Sequence, residues 1–244
     1  MASTDLTELV LRSTFIFAGT VESIGKSSVN VLNGRPGLAI ARFDRPLRVN
    51  PVLGNLKGRP ITVLIAKGGK VSPGEQLIIF ANSWVHGEQI AVVESAQLAL
   101  NPETERAVSD IVASLPERHL QERIASAVLI VDGVVKSVAR APEAPETASE
   151  HTPYWMRALI EIREVLKGQP EQTKATREEV QLYFPGSMDR RFQDVPKPKA
   201  GQSAIFLLHT PSGKFPPPGL VAPDPADVQP PEQLDAIRAL IGAA

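Results

Sequence analysis

Residues Gly19-Thr20-Val21-Glu22-Ser23-Ile24 recur as Gly133-Val134-Val135-Lys136-Ser137-Val138, 114 positions further along the chain. A helix-like pattern precedes each copy at the same spacing, Leu6-Thr7-Glu8-Leu9-Val10 in the first and Leu120-Gln121-Glu122-Arg123-Ile124 in the second. A gapless match that crosses both a helix pattern and a strand pattern indicates an internal repeat. The sequence therefore predicts two domains of one kind.

Further matches follow these two, with loops of different length between them. Leu56-Lys57-Gly58 matches Leu166-Lys167-Gly168, and the run from Pro73 to Phe80 resembles the run from Lys199 to Leu207. Loops tolerate insertions more readily than the elements they connect, so the drift in spacing is compatible with one repeated fold.

Each copy predicts a short amphipathic helix followed by several short strands. Gly19 and Gly133 interrupt their strands and are expected to mark a bulge or a sharp bend. The predicted fold class is mainly β with short helices, arranged as two tandem small barrels. The predicted boundaries are a first domain at 1–100, a connecting helix at 101–116, a second domain at 117–210, and a proline-rich tail with a C-terminal helix at 211–244.

The order of these elements resembles the TIMP/netrin-like branch of the OB-fold barrels. The residues that carry the resemblance are 19–24, 56–58 and 73–80, with 133–138, 164–168 and 201–208 in the second copy. The resemblance implies tandem OB-like domains, in a cysteine-free variant of bacterial type, that bind other proteins through loops and barrel faces. Metalloprotease inhibitors of this family chelate the metal through an N-terminal cysteine. This chain has no cysteine, so that mechanism is not implied.

The composition excludes several classes of site. With no cysteine, the chain cannot form disulfides, zinc–thiolate sites or iron–sulfur clusters. Asp5 and Glu8 lie where a signal peptide has a basic start and an unbroken apolar stretch. No apolar run approaches the roughly 18 residues of a membrane span. A soluble, cytoplasmic protein is expected, although a signal removed before residue 1 would leave the same sequence.

No catalytic or metal-binding pattern emerges from the residue spacings. The stretch from Gly19 to Ser27 resembles a phosphate-binding loop, but its glycine spacing is wrong and strand-forming residues surround it. The histidines form no metal-binding pair; they are His86, His119, His151 and His209. We therefore predict no catalytic residue, no metal ligand and no cofactor.

The first candidate binding residues lie in a polar loop after a buried strand of the first copy. Trp84 and His86 belong to the run from Asn82 to Glu88. An aromatic residue on a loop is a common anchor for a partner protein. The alternative is that Trp84 closes the end of its own barrel.

The long loop at 185–200 of the second copy is the other candidate, because the matching stretch of the first copy is shorter. Arg190 and Arg191 are suited to hold a carboxylate or a phosphate. The alternative is that Asp189 and Asp194 simply pair with them.

Three aromatic residues complete the candidate binding set of the second copy. Phe192 follows the two arginines, and Tyr154 and Trp155 open the matching strand. The two strand residues are suited either to stack on a ligand or to pack between the domains.

These patterns favour a non-catalytic protein-binding or scaffolding module whose partner is another protein. One alternative is single-stranded nucleic-acid binding, a common use of OB barrels. A net charge of −1 and an aromatic share of 5% argue against it. The other alternative is an enzyme with a site at the domain interface, for which the sequence nominates no residue. The sequence leaves the oligomeric state open.

Overall fold

The protein is described by a computed structural model that covers residues 5–85, 87–142, 154–170, 178–187, 189–212 and 219–242. The chain divides into two compact units, Met1–Leu115 and Pro116–Ala244. Each unit contains its own β-sheet. The predicted class, mainly β with two small barrels, is confirmed.

The first unit is a closed barrel with the strand order β1-β2-β3-β5-β4. Among the described strand pairs of this unit, β3 and β5 run parallel to each other and the other pairs are antiparallel. Its elements are α1 (Leu6–Arg12), β1 (Phe15–Ile24), β2 (Leu38–Arg48), β3 (Pro60–Leu64), β4 (Gln76–Val85) and β5 (Ile90–Ala99).

The second unit repeats these strand pairings in a six-stranded sheet of order β10-β8-β7-β6-β9-β11, in which two short strands replace the fifth. Its elements are β6 (Leu129–Arg140), β7 (Trp155–Lys167), β8 (Glu179–Pro185), β9 (Ser203–Leu208), β10 (Leu220–Val221), β11 (Val228–Gln229) and α3 (Leu234–Gly242). β10 runs parallel to β8, and β11 runs antiparallel to β9. The predicted proline-rich tail at 211–244 therefore supplies two strands of the sheet.

One helix, α2 (Pro102–Ser126), lies where the sequence predicts a connecting helix at 101–116 and a second helix around Leu120. The helix continues through Pro116, which marks the boundary between the two units. Proline removes one hydrogen bond of the helix. The burial of Val108 in the first unit and of Ile124 in the second stabilises the helix on either side of that position. Because α2 runs without a break from Pro102 to Ser126, it is longer than the short helices that the sequence predicts.

The bulges of the first strand recur in the two units and confirm the repeat in three dimensions. β1 shifts register at Ile16/Phe17, at Ala18/Gly19 and between Val21 and Ser23, and β6 shifts at the positions 114 residues later. A Cβ atom at Gly19 would lie 2.8 Å from a carbonyl oxygen of β2, and one at Gly133 would lie 2.6 Å from a carbonyl oxygen of β7. Close approach of two backbones thus explains both glycines.

The match between Leu56-Lys57-Gly58 and Leu166-Lys167-Gly168 is wrong in three dimensions. The first run lies just before β3, whereas Lys167 ends β7. The register places Lys167 at the position of Arg48, because Lys167 lies opposite Ile130 as Arg48 lies opposite Ile16.

Arg48 and Lys167 have the same structural role in the two units, because each binds carbonyl oxygens at the C-terminus of a helix. Arg48 donates hydrogen bonds to the carbonyl oxygens of Val10 and Ser13, at 2.7 and 3.0 Å. Lys167 donates to those of Ile124 and Ala125, both at 2.8 Å. A cation at a helix C-terminus satisfies free carbonyl groups and complements the helix dipole.

Each barrel encloses its own apolar core. Phe15, Phe17 and Phe43 lie at the centre of the first, where Phe17 and Phe43 stack with their ring centroids 5.1 Å apart. Phe206 and Leu129 are fully buried in the second. None of the helices in the described ranges is long and apolar enough to cross a membrane.

Candidate functional site

The second unit departs from the repeat in the middle of its fifth strand. Val221 bridges His209 as Val93 pairs with Asn82 in the first unit. Val228 pairs with Phe206 at the register position that Gln97 occupies opposite Ile79. Between these positions the second unit has residues 222–227, whereas the first unit has only residues 94–96. The insertion forms a 3₁₀ turn at Pro225–Asp227.

Asp227 ends this turn and anchors it in the interior. Its carboxylate is fully buried and accepts two hydrogen bonds from Arg123, at 2.8 and 2.7 Å. It also bonds His209 Nε2 at 2.9 Å and the backbone N–H of Asp224 at 2.9 Å. The insertion is thus fastened to both α2 and the end of β9.

Two opposing effects set the pKa of Asp227. Burial raises it, but hydrogen bonds from His209, Arg123 and the backbone of Asp224 outweigh burial, and the pKa lies below the ordinary value. The carboxylate is therefore ionised at neutral pH. The cluster is a buried structural anchor, because all its strong hydrogen bonds join parts of the second unit to one another.

This lowered pKa predicts a stability that depends on pH. The folded chain binds the Asp227 proton more weakly than the unfolded chain, whose pKa is about 3.9. The stabilisation is then complete above that pH and is lost as the pH falls through the lower folded-state value. We expect the difference in unfolding free energy between the wild type and Asp227→Asn to shrink below about pH 4. Urea titrations between pH 7 and pH 2.5 measure it; a constant difference would contradict the assignment.

An apolar pocket lies beside the insertion, on the outer face of β7 and β8. It encloses about 540 Å³, including its opening to solvent. The rings that line it are those of Trp155, Tyr183, Pro185, Phe192, Pro211 and Pro223. Prolines, aromatic rings and Val221 give walls with few polar groups, a composition typical of sites that hold an apolar side chain.

The strand alternation positions the floor of the pocket. Met156 and Phe184 pack into the barrel core, so Trp155 and Tyr183 point to the opposite face. Trp155 lies opposite Pro185 in the β7–β8 pairing. Trp155 and Tyr183 pack together with Val221, which joins β10 to this face.

The loop after β8 supplies the Phe192 wall. A 3₁₀ turn spans Arg190–Phe192, and the Asp189 carboxylate caps it by accepting from the N–H of Arg191 at 2.9 Å. The backbone N–H of Asp189 donates to the Ser187 hydroxyl at 3.0 Å. Lys197 donates to the Ser187 carbonyl at 3.0 Å, so both ends of the loop are tied together.

The structure brings some of the sequence-predicted residues into this site. Trp155 and Phe192 line the pocket. Tyr154 is not among its lining residues; its ring packs against Gly186, and the Arg140 guanidinium lies 5.2 Å from its ring centroid. Asp189 pairs with Arg191 at 3.2 Å, as the alternative interpretation of that loop predicts.

The predicted residues of the first unit lie elsewhere. Trp84 is on β4 and half-buried, with the Arg35 guanidinium 4.7 Å from its ring centroid. It packs against buried residues of its own barrel, as the alternative of a covering role predicts. His86 lies outside the described residues.

Sequence reasoning missed Tyr183, Val221 and Pro223, whereas Pro185 belongs to the predicted candidate loop at 185–200. The sequence predicts only a strand for the run from Val180 to Phe184. Its alternation, with Val180, Leu182 and Phe184 inside, places Tyr183 and Pro185 on the other face. No local signal brings Val221 and Pro223 there, because their position depends on the pairing of β10 with β8.

The first unit covers the equivalent face with its own side chains. Leu38 lies opposite Leu64 at the register positions of Arg157 and Tyr183. A cluster of apolar residues packs over this pair; it consists of Val29, Leu32, Ala91 and Trp84. The corresponding surface of the second unit carries the pocket.

A second perturbed acid, Glu94, belongs to the first barrel. Burial raises its pKa, although the hydrogen bond from the backbone N–H of Ala66, at 3.2 Å, opposes this effect. Gln97 on the same strand donates to the carbonyl of Lys70 at 2.7 Å. Both side chains hold the loop after β3, which indicates a structural role. Within the described ranges, no group of His, Asp and Glu side chains is arranged to hold a metal ion.

No protein-family model and no curated protein matches this chain.

Proposed function

We propose that the protein is a non-catalytic protein-binding module and that the pocket of its second unit holds an apolar side chain of a partner. One observation carries this proposal. Among the described residues, the outer face of the second and third strands is covered by Val29, Leu32 and Trp84 in the first unit, whereas the same face lines an apolar pocket in the second. Exposed apolar surface in a concave site is a common feature of binding sites.

The arrangement of strands supports the further proposal that both units are OB-fold barrels of TIMP/netrin-like type. The closed order β1-β2-β3-β5-β4 agrees with a five-stranded Greek-key barrel. OB-folds bind ligands on the face of their second and third strands and through neighbouring loops. β7 and β8 are the second and third strands of the second unit.

The pocket favours a protein segment over a single-stranded nucleic acid. A base stacks on an aromatic ring that presents its flat face to solvent. Tyr183 is only 3% exposed, and Gly219 packs against its ring. Proline walls also give no charge to hold a phosphate.

Replacing Phe192 by Ala is expected to weaken partner binding by about tenfold or more, because an aromatic side chain at the centre of a contact carries much of the affinity. A random dodecapeptide library is selected on the wild-type chain. The recovered peptides are then titrated against Phe192→Ala by fluorescence polarisation. Val52→Ala is the control, since Val52 is 90% exposed and lies in the other unit.

The proposal requires peptides that bind the wild type and the Val52→Ala chain equally and Phe192→Ala weakly. It fails if the selection recovers no peptide, or if the recovered peptides bind Phe192→Ala unchanged. Salt-sensitive binding of an oligothymidylate that requires Trp155 would instead assign the face to nucleic acid.

A further inference from the structure

The charges beside the pocket indicate which partner it selects. We infer that the partner segment is acidic: it inserts an apolar side chain into the pocket and places carboxylates next to it. This inference rests on the proposed function and adds the chemical class of the partner.

Arg157 is the first cation of this surface. It lies on β7 directly opposite Tyr183, and two residues beyond Trp155 on the same face of the sheet. Residues two apart on a strand are separated by roughly 7 Å. Within the described part of the chain, Arg157 takes part in no ion pair. Its guanidinium can therefore reach a group bound at the edge of the Trp155–Tyr183 floor.

Arg190 is the second cation, and it lies on the loop that forms the opposite wall. It belongs to the same 3₁₀ turn as Phe192 and is exposed. No ion pair of Arg190 occurs among the described residues. Its neighbour Arg191 differs, because Asp189 pairs with it while its guanidinium lies 5.7 Å from the Phe192 ring centroid.

Three carboxylates of the insertion and of the loop after β8 have partners of their own. Asp224 bonds His119 at 3.0 Å and the backbone N–H of Ala226 at 2.9 Å. Asp189 is engaged with Arg191, and Asp227 is buried.

The other charged residues of this loop are the acid Asp194 and the cations Lys197 and Lys199. Asp194 is exposed, and Lys197 lies in the same loop. Among the described residues, Arg157 and Arg190 therefore have no ion-pair partner, and the described surface beside the pocket is positive.

A positive surface next to an apolar pocket discriminates between partners. A carboxylate beside an arginine forms a charge-assisted hydrogen bond, whereas a lysine placed there is repelled. The pocket then supplies affinity through the apolar side chain, and the arginines supply the choice of partner and a faster association.

The composition of the selected dodecapeptides gives the first measurement. We expect an apolar or aromatic residue with Asp or Glu within a few positions of it. The tightest peptide is then synthesised with its acids and, separately, with lysine in their place. We expect the acidic peptide to bind at least about tenfold tighter at low salt, and the advantage to shrink at high salt.

Variants of the two arginines assign this preference to the surface. Arg157→Gln and Arg190→Gln together are expected to remove most of the acidic preference, while Arg157→Lys keeps it. Arg106→Gln is the charge-matched control, because Arg106 is 85% exposed on α2. Emission from Trp155 in a Trp84→Phe background confirms that each variant folds and that the peptide reaches the pocket; these are the two tryptophans of the chain.

The outcomes separate this inference from the proposed function. If the selected peptides lack acids, or if acidic and lysine peptides bind equally and both require Phe192, the inference is overturned and the protein-binding proposal stands. If no peptide binds in a manner that depends on Phe192, the protein-binding proposal itself fails.

Discussion

The Asp227→Ala variant is expected to lose about 3–5 kcal/mol of unfolding free energy in the second unit, the range for breaking a buried ion pair from one side. The substitution removes both hydrogen bonds to Arg123 and the bond to His209. It also leaves the N–H of Asp224 without its acceptor. Natural domains are stable by only about 5–15 kcal/mol, so the loss is a large share of the total.

Urea unfolding monitored by Trp155 emission, in the Trp84→Phe background, measures this loss in the second unit. Glu164→Gln is the matched control, because it also removes a carboxylate from an arginine, in this case Arg238. That pair is almost half exposed on both sides, so we expect a loss of at most about 1 kcal/mol. Equal losses in the two variants would show that Asp227 does not anchor the insertion.

The Gly168→Ala variant is expected to lose about 2–5 kcal/mol of unfolding free energy, because left-handed strain of about 1–2 kcal/mol adds to an overpacking term of about 1–3 kcal/mol. Gly168 has a φ of +86°, and a Cβ atom there would lie 2.2 Å from the carbonyl oxygen of Val128. The Val128 backbone cannot retreat easily, since its N–H is bonded to Leu208 at 2.9 Å and Leu129 beside it is fully buried.

Gly201→Ala separates the two terms in the same unit. Gly201 has a φ of +82°, but a Cβ atom there would meet nothing within 4 Å. Only the backbone strain remains, and we expect a loss of about 1–2 kcal/mol. The same Trp155 measurement serves both variants. A Gly168→Ala chain no less stable than Gly201→Ala would contradict the close contact with Val128.

Much of the fold could be predicted because the repeat can be recognised from short residue patterns along the sequence. Gly19 and Gly133 occupy the same position in the two copies because each strand has the same steric requirement. At that position its backbone lies close to a carbonyl oxygen of the neighbouring strand. The Leu-Lys-Gly match fails for a related reason. Three common residues can recur by chance, whereas Arg48 and Lys167 cap a helix in the same way although, of their immediate neighbours, only the preceding leucine, Leu47 or Leu166, is common to both.

Only part of the candidate site could be predicted in this way. Trp155 and Phe192 were found because aromatic residues at a strand start and in a long loop are recognisable in one dimension. Tyr183 was hidden in an apolar run, and Val221 enters the site only through the pairing of β10 with β8. Asp227 lies 104 positions from Arg123, so no spacing could connect them.

The sequence alone determined that this protein contains one β pattern twice, because strand alternation, bulge glycines and helix patterns depend on neighbours along the chain. Tertiary structure decided how the copies differ. The first covers the outer face of its second and third strands with Val29, Leu32 and Trp84, and the second carries a pocket there. Covering a face requires side chains from distant segments to meet, and only the folded chain determines which of them do.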